Sequence, residues 1–304
     1  MTRLPSAAGQ AAILVAVLLA AGAAWGLTIP LMRVAVSTGL PPLGLLVWQN
    51  AVMAGLLALL LRLGGHPLGL AARHLPSYAA VALLGTVLPG YFSYLTASLL
   101  PAGVRALILS AVPLFALPLA LGLGLERPEL RRLLGLGLGA AALVLLALPG
   151  AEVRDAPPIL LGPVLLALIA PLSYGLEATW LAWRGADGLN ALQLLLGAAL
   201  ASLAATLPLA LATEQAIGPA RPWSAAEWAF LAASLLNVAA YCGYVWLVPR
   251  AGSVFASQIA TLVTGFGMLW SMLLLGERYG VAIWAALALM FAGLVLVQPR
   301  AATR

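Results

Sequence analysis

The 304-residue sequence lacks lysine altogether, has one cysteine and two histidines, and carries charge on only 8% of its residues. The single cysteine, Cys242, cannot form a disulfide within the chain and leaves no cysteine-based metal site. The histidines, His66 and His74, lie in one short polar segment, which gives almost no support to a metalloenzyme. Because lysine is absent, the chain has no Gly-Lys-Ser/Thr loop, which excludes an ATP-driven pump on this chain.

Hydrophobic residues make up 63% of the sequence, more than a soluble domain could bury behind so few charges. About 20 apolar residues can cross the hydrocarbon core of a bilayer, and such a segment must be helical to satisfy its own backbone groups. Ten segments meet this criterion, at residues 11–36, 43–63, 76–100, 102–125, 131–149, 158–183, 189–212, 225–248, 252–275 and 280–298. The short connections leave no room for a separate soluble domain.

Fifteen arginines give the chain its net charge of +6, and most lie between the apolar segments. This distribution indicates contact with lipid head groups and orientation signals, and not binding to nucleic acid. With the N-terminus inside the cell, ten arginines fall on the inner side and five on the outer side. Because inner loops are usually the more positive, we expect both termini in the cytoplasm, in a bacterial inner (plasma) membrane.

The sequence repeats itself with an offset of about 150 residues. In each half an apolar helix carries two tyrosines three apart, reaches an Ala-Gly turn and continues directly into another apolar helix. The matching segments are Tyr91-Phe-Ser-Tyr94 and Tyr241-Cys-Gly-Tyr244. We therefore divide the chain into two five-helix repeats, residues 1–152 and 153–304. Since five is odd, the second repeat must cross the membrane in the opposite sense, a construction common in secondary transporters.

Three further motifs occur in the same order in both halves. They are Trp25-Gly26, Pro101-Ala-Gly103 and Leu125-Glu126-Arg127, matched by Tyr174-Gly175, Arg250-Ala-Gly252 and Leu275-Gly-Glu-Arg278. Their order and spacing resemble the EamA-type branch of the drug/metabolite transporter superfamily over the whole chain. The resemblance implies an all-α integral membrane protein with ten transmembrane helices in two inverted repeats around a central cavity. It also implies that the third, fourth, eighth and ninth helices line this cavity, with help from the first and sixth.

Two tyrosine pairs are the first candidates for substrate binding. Tyr91 and Tyr94 share one helical face, as do Tyr241 and Tyr244, because residues three apart are neighbours on a helix. A tyrosine offers an apolar ring and a hydroxyl, which suits an amphipathic solute in a half-wet cavity. The alternative is an aromatic belt at the membrane interface, where tyrosine and tryptophan are enriched.

Three uncharged polar residues lie inside apolar segments and are further candidates for substrate binding. Asn237 and Gln258 carry amides, which can bind a carboxylate through the NH₂ group and an ammonium through the carbonyl. Ser110 lies near the position that matches Gln258 in the repeat. The alternative is that these groups hydrogen-bond between helices and only hold the bundle together.

Glu177 is the acid that lies clearly within a predicted helix, the sixth. An intramembrane carboxylate is a candidate proton site or an anchor for a cationic group. The alternative is a structural acid that pairs with Arg184 or reaches the interface. Arg33 is expected to extend to the interface, and Arg105, at the start of the fourth helix, to contact lipid head groups. Gating of the cavity or attraction of an anionic solute is the alternative for Arg105.

Prolines and short links predict how the bundle moves. Proline removes an N–H and obstructs the preceding turn, so prolines inside predicted helices can kink them. They are Pro30, Pro89, Pro113, Pro118 and Pro171. The links at residues 101 and 249–251 are short enough to make tight hairpins, and we expect rocking of these hairpins to open the two sides alternately.

The favoured function is secondary export of small amphipathic metabolites, with aromatic and other neutral amino acids as the expected cargo. Members of the resembling family export amino acids or other small metabolites, and the richness in tryptophan and tyrosine is similar to that of YddG-type exporters of aromatic amino acids. The expected partners are the solute and membrane lipids, with no cofactor, metal or nucleic acid, and the expected form is a monomer. Multidrug or nucleoside efflux is the alternative. An intramembrane enzyme is a remote one, because no nucleophile, base and metal set converges.

Overall fold

The computed structural model describes residues 7–148, 151–154, 156, 158–218 and 222–297. The helices in these ranges are α1 (Ala7–Ala35), α2 (Pro42–Leu63), α3 (Leu75–Val81), α4 (Leu88–Ala97), α5 (Ala102–Leu109), α6 (Val112–Gly122), α7 (Leu130–Ala147), α8 (Leu161–Arg184), α9 (Ala191–Ala212), α10 (Ala225–Ala251), α11 (Ser253–Leu275) and α12 (Val281–Val297). A 3₁₀ turn, Ala72–His74, precedes α3, and a π-helical segment, Ala82–Val87, joins α3 to α4.

Eight of the described helical segments are long and apolar enough to cross a membrane. The third of them is the continuous run Ala72–Ala97, and the fourth is Ala102–Gly122, which combines α5 and α6. Of the other two predicted crossings, α12 is apolar but has 17 residues, and α7 has 18 residues and carries Arg131 and Arg132 in its first turn. Helical membrane architecture is therefore confirmed, and the count of ten crossings stays a prediction.

Two prolines coincide with irregular helix geometry. The π-helical segment ends directly before α4, whose second residue is Pro89, and α5 ends at Leu109 shortly before Pro113 in the first turn of α6. A proline lacks the N–H that would continue the regular hydrogen-bond ladder, so the preceding turn relaxes into another geometry. Pro118 and Pro171 lie inside continuous helices. The predicted third helix thus changes geometry without a break, and the predicted fourth is divided into α5 and α6.

The helices pack mainly against helices of the other half. α1 packs against α10 and α11, whereas α8 packs against α4 and α6. A Cβ atom at Gly26 would lie 2.8 Å from the Cβ of Phe266 on α11, and one at Gly175 would lie 3.0 Å from the Cβ of Phe115 on α6. The two matching glycines therefore have the same structural role, because each lets the first helix of one half approach the fourth helical segment of the other half closely.

The two halves run in opposite directions through the bundle. At the C-terminal end of α1, Arg33 donates from Nη1 to the carbonyls of Ala97 and Leu100, 2.8 and 2.9 Å away. At the same end, Val153 forms an isolated β-bridge with Tyr279 shortly before α8 begins. α1 therefore ends where α8 starts. We call this the Glu277 end of the bundle, and the opposite end, where α6 finishes, the Glu126 end.

Candidate functional site

Three aromatic rings meet between α1 and α10 and form what we call the aromatic cluster: Trp25, Tyr241 and Tyr244. The Trp25 ring lies 6.3 Å from the Tyr241 ring, edge to face, and 6.3 Å from the tilted Tyr244 ring. The two tyrosine rings are also 6.3 Å apart, and all three side chains are half-buried. These distances are typical of stabilising aromatic contacts. The α10 tyrosines therefore face a helix of the other half, which disfavours the interfacial belt.

Glu177 lies beside this cluster. Its half-buried carboxylate packs against the Cα of Gly85 in the π-helical segment, where any side chain larger than hydrogen would overlap both carboxylate oxygens. The Glu177 carboxylate also lies near the hydroxyls of Tyr174 and Tyr241. The glutamate and the aromatic cluster thus join α1, the π-helical segment, α8 and α10 around one place.

Arg184, the predicted partner of Glu177, interacts with a different residue. The guanidinium of Arg184 lies over the ring of Trp183, 5.5 Å from its centroid. No ion pair joins Arg184 to Glu177 within the described ranges. The alternative of a structural Glu177–Arg184 pair was therefore wrong, and the glutamate is free to serve another group.

The second tyrosine pair is divided between two environments. Tyr94 is only 1% exposed, and its hydroxyl donates to Oε1 of Gln49 over 2.6 Å. It packs with Val36 and Leu45 near the Glu277 end. Tyr91 is half-buried and meets the ring of Phe92 edge to face at 5.3 Å. Tyr94 is therefore part of the packed core, and the structure does not bring either residue to the aromatic cluster.

The three uncharged polar candidates also differ from one another. Asn237 is half-buried in α10, and no residue of the described ranges hydrogen-bonds to its amide. Gln258 is half-buried in α11 and already has an interaction partner. Ser110 is buried, caps the end of α5 and donates to the carbonyl of Leu107 over 2.6 Å. Among the three, Asn237 is the residue whose amide has no hydrogen-bond partner in the described ranges and could therefore bind a solute.

Arg105 does not contact lipid head groups, so that expectation was wrong. Its side chain is 2% exposed and lies between α1 and α4, where Nη2 donates to the carbonyl of Ser93 over 2.8 Å. The same nitrogen lies 3.9 Å from Sδ of Met32. Nη1 is buried and has no partner among the residues that the structure describes. A position near the start of a helix indicated the interface, but the crossing of α1 over α5 covers the side chain.

Glu277 links the two halves at one end of the bundle by capping a helix of the other half. Its carboxylate accepts from the N–H groups of Ala102 and Gly103, the first residues of α5, over 2.7 and 3.0 Å. The hydroxyl of Tyr279 donates to the same carboxylate over 2.7 Å. Burial and the negative charge of Glu277 raise the pKa of Tyr279, so this hydroxyl keeps its proton. We call this arrangement the Glu277 cap.

The matching glutamate of the first half has a different partner. Glu126 accepts from Nη1 of Arg132 over 2.7 Å, within its own half, and its side chain is 44% exposed. In the sequence these two glutamates only mark matching positions of the repeat, and neither was predicted to be a functional residue. Their matching positions at the ends of the fourth and ninth predicted helices were the available signal.

Comparison with known proteins identifies the family. The family model described as the EamA-like transporter family matches residues 12–148 and again residues 161–298. A solved structure described as a crystal structure of a protein has a TM-score of 0.64 and 16% identity, with 94% of this chain and 96% of the other covered. That likeness concerns the fold. No curated protein matches. Because the family model covers nearly all of both halves, this chain belongs to the EamA-like transporter family, whose members are membrane transporters of small molecules.

Proposed function

We propose that this protein exports small amphipathic metabolites, with aromatic and other neutral amino acids as its cargo, by alternating access across the bacterial inner membrane. The observation that carries the proposal is the joining of Glu177 with the aromatic cluster between helices of both halves. Aromatic rings pack against an apolar side chain and attract a cation over their faces, while a carboxylate binds an ammonium group. One face of an amino acid, its ring and its ammonium group, would be recognised here.

The difference between the two ends supports alternating access. The Glu277 cap joins the two halves at one end, whereas Glu126 pairs with Arg132 inside its own half at the other. In an inverted repeat the same contacts can form at either end in turn, as the two halves rock against each other. With both termini in the cytoplasm, the Glu277 end faces outward. On this orientation, the proposal assigns the structure to a state closed to the outside.

Multidrug efflux is the second candidate, because the same observation also favours it. Lipophilic cations combine aromatic surface with positive charge, and both are matched by the aromatic cluster and Glu177. A carrier of phosphate esters is disfavoured, because such cargo needs several arginines or lysines facing the path. At the aromatic cluster the described charged group is an acid, Glu177.

Uptake by proteoliposomes tests the proposal directly. The panel would contain labelled aromatic, aliphatic and hydroxyl amino acids, a nucleoside, a sugar phosphate and a cationic dye, each with and without an imposed pH gradient. We expect saturable uptake of neutral amino acids, fastest for aromatic ones. If only the dye enters, multidrug efflux is favoured. If correctly inserted protein transports none of these compounds, the proposed export function is wrong.

A matched pair of variants connects the activity to the site. Glu177→Gln removes the charge beside the aromatic cluster, and Glu214→Gln removes one from the exposed turn after α9. We expect the first to lower amino acid uptake at least tenfold, since a hydrogen bond to a charged group contributes about 1.5–3 kcal/mol. The second should leave uptake within about twofold. Equal activity of both variants would remove Glu177 from the binding site.

A further inference from the structure

The buried guanidinium of Arg105 has unused hydrogen-bonding capacity. Arginine presents five N–H donors and stays charged in proteins, so burial is costly unless the donors and the charge are satisfied. Here Nη2 donates to the carbonyl of Ser93, while Nη1 is buried without a partner in the described part of the chain. Such an orphaned charged donor is rare in native proteins and points to a partner present in another state.

The groups around Arg105 do not neutralise it. The charged or titratable groups near the Arg105 guanidinium are Arg33, Tyr94 and Glu277. Arg33 is a second cation, and Tyr94 uses its hydroxyl proton on Gln49. The Glu277 carboxylate already accepts three hydrogen bonds in the Glu277 cap. Two guanidinium groups against one carboxylate leave a surplus of one positive charge in this buried region.

We propose that Arg105 binds the carboxylate of the cargo during the transport cycle. The inference rests on the proposed transport function and adds to it the residue that binds the carboxylate of the cargo. The planar guanidinium fork matches a carboxylate with two parallel hydrogen bonds, and the negative charge cancels the local surplus. A cargo carboxylate would thereby satisfy Nη1 and the charge together.

The burial of Nη1 also assigns the step at which this contact forms. Arg105 lies in the first turn of α5, which the Glu277 cap holds at this end, and its side chain is 2% exposed. A solute reaches Nη1 only after α5 and its neighbours α1 and α4 have separated there. The carboxylate contact therefore belongs to a state in which the Glu277 end is opening, and Arg105 is the binding residue nearest that exit.

The test compares cargo with and without a carboxylate in the unaltered protein. In proteoliposomes, a labelled aromatic amino acid would be competed with unlabelled amino acid and with its methyl ester, which keeps the ring and the ammonium group. We expect the amino acid to compete about 10–100-fold better than the ester, because the ester lacks the charged carboxylate that would hydrogen-bond to Arg105. If both compete equally, this inference fails while the transport function stands. If the labelled amino acid does not enter at all, the proposed function fails.

Variants then assign the preference to Arg105. Arg105→Gln removes the charge, and Arg105→Lys keeps the charge without the planar fork. Arg33→Gln is the matched control, since Arg33 also lies at this end but has carbonyl partners for its Nη1. We expect Arg105→Gln to lose the preference for the amino acid over the ester, Arg105→Lys to lose most of it, and Arg33→Gln to keep it.

The readout is the ratio of the two competition constants, so a general loss of folded protein does not mimic the effect. If Arg105→Gln does not insert, Arg105→Lys carries the same test, because it retains the buried charge. A full preference in folded Arg105→Lys and Arg105→Gln would overturn the assignment. Loss of preference in Arg33→Gln alone would also overturn it and transfer the role to Arg33.

Discussion

Removing the charge of Glu277 should open the end of the bundle that it closes. Glu277→Gln keeps the size of the side chain, but the neutral amide has one acceptor oxygen in place of two. The carboxylate now accepts from the N–H groups of Ala102 and Gly103 and from Tyr279. It also lies at the N-terminus of α5, where the helix dipole favours negative charge. The variant therefore weakens a contact between the two halves without creating a cavity.

The magnitude follows from the hydrogen bonds that the substitution weakens. Hydrogen bonds to a charged group contribute about 1.5–3 kcal/mol each. An amide oxygen in the place of Oε2 still accepts from Gly103 and Tyr279, but the NH₂ group in the place of Oε1 cannot accept from Ala102. We estimate a net loss of about 2–3 kcal/mol for the closed state relative to the open one. At about 1.4 kcal/mol per factor of ten, the population of the open state rises about 30–150-fold. The Gly103 position is tight, since a side chain there would meet the Tyr279 hydroxyl, so water cannot readily replace the contact.

Thiol labelling measures this population. Cys242 is the single native cysteine, so Cys242→Ser provides a background without thiols. A cysteine introduced by Leu100→Cys is buried in the closed state, because Leu100 is 1% exposed. In this background a membrane-impermeant maleimide should label the introduced cysteine about 30–150-fold faster when Glu277→Gln is present. Labelling from the outside also tests the predicted orientation of the Glu277 end.

Two controls decide whether the reasoning holds. Glu152→Gln removes an exposed carboxylate at the same end, where the residue contributes its backbone carbonyl to Gly280. Glu126→Gln removes the matching glutamate at the opposite end. Neither control should accelerate labelling more than about twofold. Equal acceleration by Glu152→Gln would mean a general charge effect, and unchanged labelling in Glu277→Gln would refute the closing role of the cap.

Three further outcomes are expected. Gly26→Leu should sharply lower the yield of folded protein in detergent, because a Cβ there meets α11, whereas Gly55→Leu has open space and should not. If Glu177 carries the coupling proton, Glu177→Gln should make amino acid uptake insensitive to the pH gradient, and a remaining gradient response would exclude that role. Asn237→Ala should reduce uptake and leave thermal stability unchanged, whereas Gln258→Ala, which loses an existing interaction, should lower stability as well.

The helical membrane architecture and the repeat could be predicted because both depend on local sequence patterns. Long apolar segments with few charges form helices in hydrocarbon, because their backbone N–H and C=O groups must hydrogen-bond within the segment. The motif glycines Gly26 and Gly175 were recognised by their matching positions, but their purpose depends on which helix of the other half approaches them. The break between α5 and α6 could not be located from hydropathy, since Ala102–Gly122 is apolar enough as a whole to form one membrane-spanning segment. The proline at position 113 was the local signal.

The candidate site was only partly predictable, because polar residues in a membrane segment look alike in sequence. Tyr94 and Tyr241 belong to matching tyrosine pairs, yet the first donates to Gln49 in a closed core and the second lies beside Glu177. Arg105 was expected at the interface because it lies near the start of a helix, and its burial arises from Met32 and Ser93 on two other helices. These differences depend on which helices surround each side chain in the folded bundle, and a local sequence pattern does not show those neighbours.

The charged residues that break the repeat are the ones to which the proposed function assigns the specificity of transport. Applying the offset that relates Gly26 to Gly175 places Arg105 opposite Val254, and Glu177 opposite Thr28. The matched glycines Gly26 and Gly175 set close helix contacts in both halves, and the matched glutamates Glu277 and Glu126 lie at opposite ends of the bundle. The unmatched charges lie at different depths: Arg105 near the Glu277 end, Glu177 well inside α8. On the proposed function, a symmetric scaffold with an asymmetric pair of charges would hold the ammonium group and the carboxylate of a zwitterion at different depths, while the gradients of the solute and of any coupled ion set the direction of net transport.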